Sequence, residues 1–478
     1  MNDIIIVILI CLIIFTPLAF GSMVLWATSL MELGILLIII LWAVQTLLLQ
    51  TPNAKLQNND SAIRHPPSAI VTVLLCVFLL LILFQLLPLP SGILKILSPK
   101  TFELRNSFSA VDSQLLTLHS PFSISFFPFV TQIEFFKWLS FIGLFFFLLR
   151  SALLEEKNRG VKPLLIAALF VGVGESLYGM FEFFSGHKHI FHLDMEEKMA
   201  FVTGSFINRN YFAGYLLMVI PLSVGFLFSR EAIRRGRFGG WRERLVSLDG
   251  KTLLIGFGVM IMILGLLFSA SRMGISSLLF SFTLLSLLFR SPSKEHRFSK
   301  TSFLILGLAL LWASWIGLDA VINRFFGASE DFKGRWEFWV NTFQIFKDFP
   351  IFGSGLGTFP WVFPMYRSLH SIGIVTHAEN DFLQLASEVG MVGIGLLLIL
   401  FLFFLYKAIA GIRSLSHRDP ERYIGIGSLV GILALMFHSL VERNIQVPAN
   451  AFLYTILWAI VLRISPGGMN RSKNFICH

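Results

Sequence analysis

Residues 376–406 read THAENDFLQLASEVG followed by MVGIGLLLILFLFFLY. The first half crowds His377, Glu379, Asn380 and Asp381 together; the second half, 391–406, carries no charge at all. At 1.5 Å per residue such a run approaches the roughly 30 Å hydrocarbon thickness of a bilayer, and it reads as the heart of a membrane helix. The densest polar cluster of the chain therefore stands where a loop meets a span.

The same pattern recurs along the chain. Of 478 residues 55% are hydrophobic and only 14% charged, with a mean hydropathy of +0.76; soluble domains are about one quarter charged. Twelve spans are predicted, at about 3–21, 23–48, 68–88, 135–150, 163–184, 210–229, 252–270, 273–289, 302–319, 389–408, 424–441 and 450–464. All should be helices, because a helix satisfies its own backbone in lipid. The expected fold is an all-α integral membrane protein, one polytopic domain over 1–478. The first segment has no basic leader and carries Asp3, so it is expected to be an uncleaved span.

Lysine and arginine orient the bundle. With the N-terminus inside, 24 of the 38 fall in 50–67, 150–162, 229–251, 290–300, 407–423 and 463–478. Both termini are then cytoplasmic, and the two largest loops, 89–134 and 320–388, face outward. The second is a large outer loop, expected to be helical, between spans nine and ten. The net charge of +10 thus encodes topology, with REAIRRGRFGGWRER at 230–244 as its clearest anchor, and does not point to nucleic acid. Three cysteines without a CxxC pattern support neither a disulfide framework nor a zinc site.

In the outer loop, GRWEFWVNTFQIFKDFP (334–350) places Trp336, Trp339, Val340, Phe343 and Phe346 at helical spacing, ended by Pro350. This suits an interfacial helix or one packed on the spans. GSGLG (353–357) is either a plain turn or a loop whose N–H groups approach a phosphate. Thr376 and Glu379 fit a capping box, which would put His377 in the first helical turn. A helix N-terminus lowers a histidine's pKa, leaving a neutral ring able to act as a general base. His370, His377, Glu379 and Glu388 lack the paired spacing of a metal motif, so no metal is expected.

Charged groups at membrane depth are functional candidates. Arg272 sits between spans seven and eight, Arg209 at the mouth of span six, and Arg335 in the outer loop. Guanidinium forks match phosphate oxygens, or else snorkel to headgroups. Glu175 and Glu182 share one face of span five with Tyr178 beside them, and His438 lies in span eleven.

Five stretches in order resemble the O-antigen ligase and polymerase superfamily of membrane glycosyltransferases: GSFINRNYFAGYLLMVIPL (204–222), SASRMG (269–274), GRWEFWVNTFQIFKDFPIFGSGLGTF (334–359), THAENDFLQLASEVGMVG (376–393) and FHSLVERNIQVPANA (437–451). The likeness covers about 200–465, a ligase-like core with 320–388 as its catalytic loop; 1–200 match in hydropathy, with the weaker stretches QLLPLP (85–90) and GESLYGMFEF (174–183).

The resemblance implies a multi-pass enzyme of the bacterial inner membrane that works at the periplasmic face without a cofactor or metal. It would move a glycan from an undecaprenyl-diphosphate carrier to an acceptor, with inversion. In a ligase the acceptor is lipid A–core, in a polymerase another lipid-linked glycan. His377 would activate the acceptor, and Arg272 and Arg335, with Arg209 added, would hold the diphosphate. Asn380, Glu379, Asn208, Asn210, Glu175, Tyr178 and His438 would support the site. The rival class is a transporter or flippase, against which stand the lack of an internal repeat and the clustering of polar groups toward one side.

Overall fold

The computed structural model describes residues 2–49, 69–111, 123–151, 160–187, 189–191, 193–194, 201–234, 249–289, 307, 328–367 and 375–464. Among them, eight helices are long and apolar enough to cross a membrane, and three shorter apolar helices accompany them. The described α-helices begin, in chain order, with α1 (Asn2–Leu18), α2 (Leu25–Leu49), α3 (Ala69–Leu86), the short α4 (Ser91–Leu97) and α5 (Pro99–Val111), then α6 (Pro128–Arg150) and α7 (Val161–Ser185). A two-residue hairpin follows, β1 (His189–Ile190) paired antiparallel with β2 (Leu193–Asp194). Then come α8 (Arg209–Arg234), α9 (Gly250–Phe268), α10 (Arg272–Leu288), α11 (Ala328–Asp348), α12 (Phe359–Val362), α13 (Asp381–Ser414), α14 (Pro420–His438) and α15 (Pro448–Arg463). This is the architecture of a multi-pass membrane protein. The predicted span 302–319 lies outside the described residues.

Helix α8 is the axis of the bundle, with the whole of its apolar stretch buried. It lies against α14 at backbone distance, and small residues make this possible. A Cβ on Gly427 would come within 2.5 Å of the Pro221 carbonyl oxygen, and one on Gly225 within 2.4 Å of that of Tyr423. Helix α7 is tied to the chain before α8: the buried Glu175 carboxylate accepts from the N–H (2.7 Å) and the hydroxyl (2.6 Å) of Ser205. A turn further on, Tyr178 accepts from the Phe191 N–H (2.8 Å) and stacks on that ring, holding the hairpin. Glu182 faces His187 at 3.8 Å.

One span resolves differently from expectation. The span expected over 389–408 begins earlier, as α13 at Asp381, and breaks at Gly390, whose φ of 65° and ψ of −171° are open only to glycine. The N–H groups of Met391 and Val392, orphaned by the break, donate to Pro350 (2.8 Å) and Ile351 (3.2 Å). The polar half of the opening stretch and its apolar half are thus two helical pieces, separated where their chemistry changes.

Of the two readings of GSGLG, the plain turn holds. Its N–H groups are already engaged by protein acceptors: Gly353 donates to Phe349, Ser354 to Ser387, Gly355 to the Glu388 carbonyl, Leu356 to the Gln85 side chain and Gly357 to the Glu388 carboxylate. It is a structural turn that locks onto α13, not a phosphate cradle. The loop before α6 packs beneath it, with the Phe126 N–H on the Ser354 carbonyl (2.8 Å) and the Thr131 hydroxyl on that of Leu356 (2.8 Å).

On α11, three residues of the predicted apolar face, Trp336, Val340 and Phe343, are exposed, as an interfacial helix requires. Its other side buries Ile345 and Phe349 against Phe359, Phe363 and Ala378. The helix therefore has two apolar sides, one packed and one open.

Candidate active site

The expected capping box does not form. Asn380 is the N-cap of α13, accepting from the Leu383 N–H at 3.0 Å. Glu379 sits in left-handed backbone (φ 51°), and its carbonyl accepts from the Trp339 indole. His377 therefore precedes the helix and does not occupy its first turn. Asparagine caps as well as threonine does, and placing the cap at 380 lets Asp381 turn inward.

Asp381 organises the junction. Its Oδ2 accepts from the N–H groups of Asn444 and Ile445, both at 2.7 Å, and its own N–H donates to the Ser439 carbonyl. The start of α13 is thereby clamped onto the loop 439–447 that joins α14 to α15. This loop carries Glu442, Arg443 and Asn444, all buried.

Each of the three takes hold of a different predicted residue. Glu442 accepts from Arg335 (2.5 Å) and from the Asn210 amide (2.7 Å); Arg335 also donates to the Val441 carbonyl (3.1 Å). Burial pushes the Glu442 carboxyl up, Arg335 pulls it back, and the adjoining Glu379 carboxyl pushes it up again. Arg443 Nη1 contacts His377 Nε2. Asn444 Nδ2 donates to His438 Nδ1 (2.8 Å), and its Oδ1 accepts from Asn450 (3.2 Å).

His438 extends the network to α10. Its Nε2 faces the hydroxyl of Ser271, the N-cap of α10, at 3.4 Å. Arg272 is the next residue, the first of that helix. Arg209 opens α8, with its guanidinium 4.1 Å above the Phe201 ring, and Asn208 beside it caps the Asn210 N–H at 2.8 Å. The loop residues Glu442, Arg443 and Asn444 therefore bring Arg335, His377 and His438 to one place, with Ser271 reached through His438; Arg272 follows Ser271 in the chain, and Arg209 precedes Asn210, whose amide reaches Glu442. Glu175 and Tyr178 make their contacts elsewhere, at the 201–206 segment and the hairpin, and are structural supports there.

His377 is neutral. Burial lowers its pKa most, followed by Arg443 and Lys137. Arginine can only donate, so Nε2 carries the lone pair and the proton sits on Nδ1. Nδ1 has no hydrogen-bond partner among the described residues. The metal reading fails on geometry for Glu388, whose carboxylate is engaged by Gly357, Phe359 and Gln384. His370 lies outside the described residues.

Beside the junction opens a cavity of about 180 Å³ between α3, α6, α13 and α15. Its wall is apolar, including Trp138, Phe141, Phe145, Phe404 and Trp458, while Glu134, Lys137, Asp381 and Gln446 form its polar part.

Glu442, Arg443 and Asn444 had no assigned role in the sequence reading. Their signal was present: three consecutive polar residues in a short loop between two spans, in a chain with few charges. Residues 257–399 match the family model described as O-Antigen ligase, a stretch that contains Arg272, Arg335 and His377. The likeness to that superfamily is thereby borne out. No curated protein matches the chain.

Proposed function

We propose that this membrane protein, with its O-antigen ligase-type domain, is an inverting glycosyltransferase. It takes a glycan from undecaprenyl diphosphate and passes it to a hydroxyl of lipid A–core, at the periplasmic face of the inner membrane. The observation that supports this reading is the loop 442–444, which holds a neutral, half-buried imidazole, His377, through Arg443 and the guanidinium of Arg335 through Glu442, at the end of the bundle where Ser271 and the adjoining Arg272 begin their helix.

The chemistry follows from the parts. The acceptor hydroxyl gives its proton to His377 as its oxygen bonds to the anomeric carbon. The bond from that carbon to the diphosphate breaks on the opposite face, so configuration inverts. The departing diphosphate gains negative charge, which Arg272, Arg335 and Arg209 stabilise, a task a divalent cation performs elsewhere. Glu442 positions Arg335. The apolar cavity beside the junction suits isoprenoid units, with Lys137 at its polar part.

The test incubates purified protein in detergent, with EDTA, an undecaprenyl-diphosphate-linked glycan and lipid A–core, alongside His377→Ala. A mass shift of the acceptor with wild type alone is the expected result. A glycan that lengthens on its own carrier would instead identify a polymerase. Transfer that persists in His377→Ala overturns the base assignment, and no transfer with several glycans overturns the transferase reading.

A further inference from the structure

Arg443 is only 8% exposed, yet none of the described carboxylates forms an ion pair with it. Its Nε has no hydrogen-bond partner among the described residues. Asp381 interacts with it electrostatically, but that carboxylate is held through Oδ2 by two backbone N–H groups and forms no ion pair with Arg443. Arg443's own contacts are with the Tyr211 hydroxyl and the imidazole of His377, both neutral partners. A largely buried guanidinium is best held by a directly bonded anion. Its neighbours in sequence are engaged: Glu442 with Arg335 and Asn210, Asn444 with His438 and Asp381. Arg443 has no directly bonded counterion among the described residues.

The second observation is the atom it occupies. Nε2 is the only lone pair of the neutral ring, and Arg443 donates to it. While that contact stands, the imidazole cannot accept a proton from a hydroxyl.

We propose that Arg443 is a ligand for the diphosphate-class anion and a guard on His377: in the empty site it covers Nε2, and an arriving anion draws it away and uncovers the base. The inference rests on the transferase reading and adds an order to it. The donor must be seated before an acceptor, or water, can be activated, which protects the activated glycan from wasteful hydrolysis. The energetic basis is exchange of a cation–imidazole contact for a charge-assisted bond to phosphate oxygens, which is the stronger of the two.

Two measurements on the full chain in detergent test it. In the first, inorganic pyrophosphate is titrated calorimetrically into wild type, Arg443→Gln, Arg443→Lys and Arg335→Gln. Loss of one charged hydrogen-bonding group should weaken binding by about 10–100-fold in Arg443→Gln, comparable to Arg335→Gln, with Arg443→Lys in between. In the second, carbethoxylation of histidines by diethylpyrocarbonate is followed by peptide mass spectrometry without anion. His377 should react several-fold faster in Arg443→Gln than in wild type, while the buried His438 stays unreactive in both and so reports that the fold is intact.

Equal pyrophosphate affinity in wild type and Arg443→Gln, with Arg335→Gln still weakened, overturns the anion-ligand role and leaves the transferase reading standing. An unchanged His377 reaction rate overturns the guard. If wild type binds no pyrophosphate, the proposal and the diphosphate assignment fall together, whereas the glycan-transfer assay is decided independently.

Discussion

Gly390→Ala is the sharpest test of how this fold delivers its site. The residue adopts φ 65°, ψ −171°, a region that costs a non-glycine residue about 1–3 kcal/mol. A Cβ there would lie 2.3 Å from the Ile351 carbonyl oxygen and 2.6 Å from the Gly353 nitrogen. Both are backbone atoms, so relief requires the 350–353 loop to move away from α13. That motion breaks the bonds from Met391 to Pro350 and from Val392 to Ile351, at about 0.5–1.5 kcal/mol each. The total is about 2–6 kcal/mol, enough to lower the melting temperature by roughly 2–6 °C in a chain of this size. The readout is the fraction of monodisperse protein surviving heat treatment in detergent, measured by size exclusion. Gly395→Ala is the control: it lies in the same helix, and its added Cβ would meet nothing within 4 Å, so it should melt like wild type. Transfer activity should fall with Gly390→Ala, because the piece before the break carries Asn380 and Asp381. Equal melting of the two variants refutes the reasoning.

Three other outcomes follow. Arg335→Lys keeps the charge but loses the fork that spans Glu442 and Val441, and should lower kcat by about 10²–10³ in the transfer assay at unchanged expression. Glu175→Ala strands the Ser205 N–H in the bundle and should destabilise the protein by about 2–4 kcal/mol in thermal unfolding, while activity per folded molecule is retained; loss of transfer activity at normal stability would overturn its reading as a structural support. His377 works as a base only when neutral, and neutrality is lost as pH falls through its pKa. Burial first, then Arg443, holds that pKa well below the ordinary value, so kcat/KM for the donor should show no His377 limb down to about pH 5. In Arg443→Gln the pKa rises but burial still holds it below the ordinary value, so the acid limb should move up in pH relative to wild type; an identical profile in both proteins contradicts the electrostatic account.

The spans were legible because hydropathy is summed over some twenty residues and forgives local error. Eleven of the twelve predicted segments correspond to described helices, and the last, 302–319, lies outside the described residues. The two misread details depend on single backbone dihedrals. Gly390 sits inside a pattern that is helical on both sides, and only the approach of the Ile351 carbonyl explains its φ. The Thr376–Glu379 box matched a motif, but Asn380, also a good cap, lay one residue beyond it, and the clamp from Asp381 to Asn444 and Ile445 decides between them. That clamp joins positions more than sixty residues apart, which no local motif reports. Arg443 was hidden for the same reason: an arginine in a short loop reads as topology until its contact with His377 is seen.

The placement of the site at this end of the bundle has a physical cause. Within lipid a helix satisfies its backbone, and only its ends leave polar groups free. The N-termini of α8, α10, α13 and α15 all reach the network, through Asn210, Ser271, Asp381 and Asn450 respectively. Each contributes a partial positive charge of about half a unit. Asp381 neutralises one of them and pins the loop that bears Arg443. The remaining ends add positive potential to the network that holds Arg335 and Arg443, with Glu442 the buried carboxylate paired with Arg335. Arg443 has no ion-pair partner among the described residues, so in the proposed order a multiply charged anion is what draws it from His377, whose ring burial first and Arg443 second keep neutral.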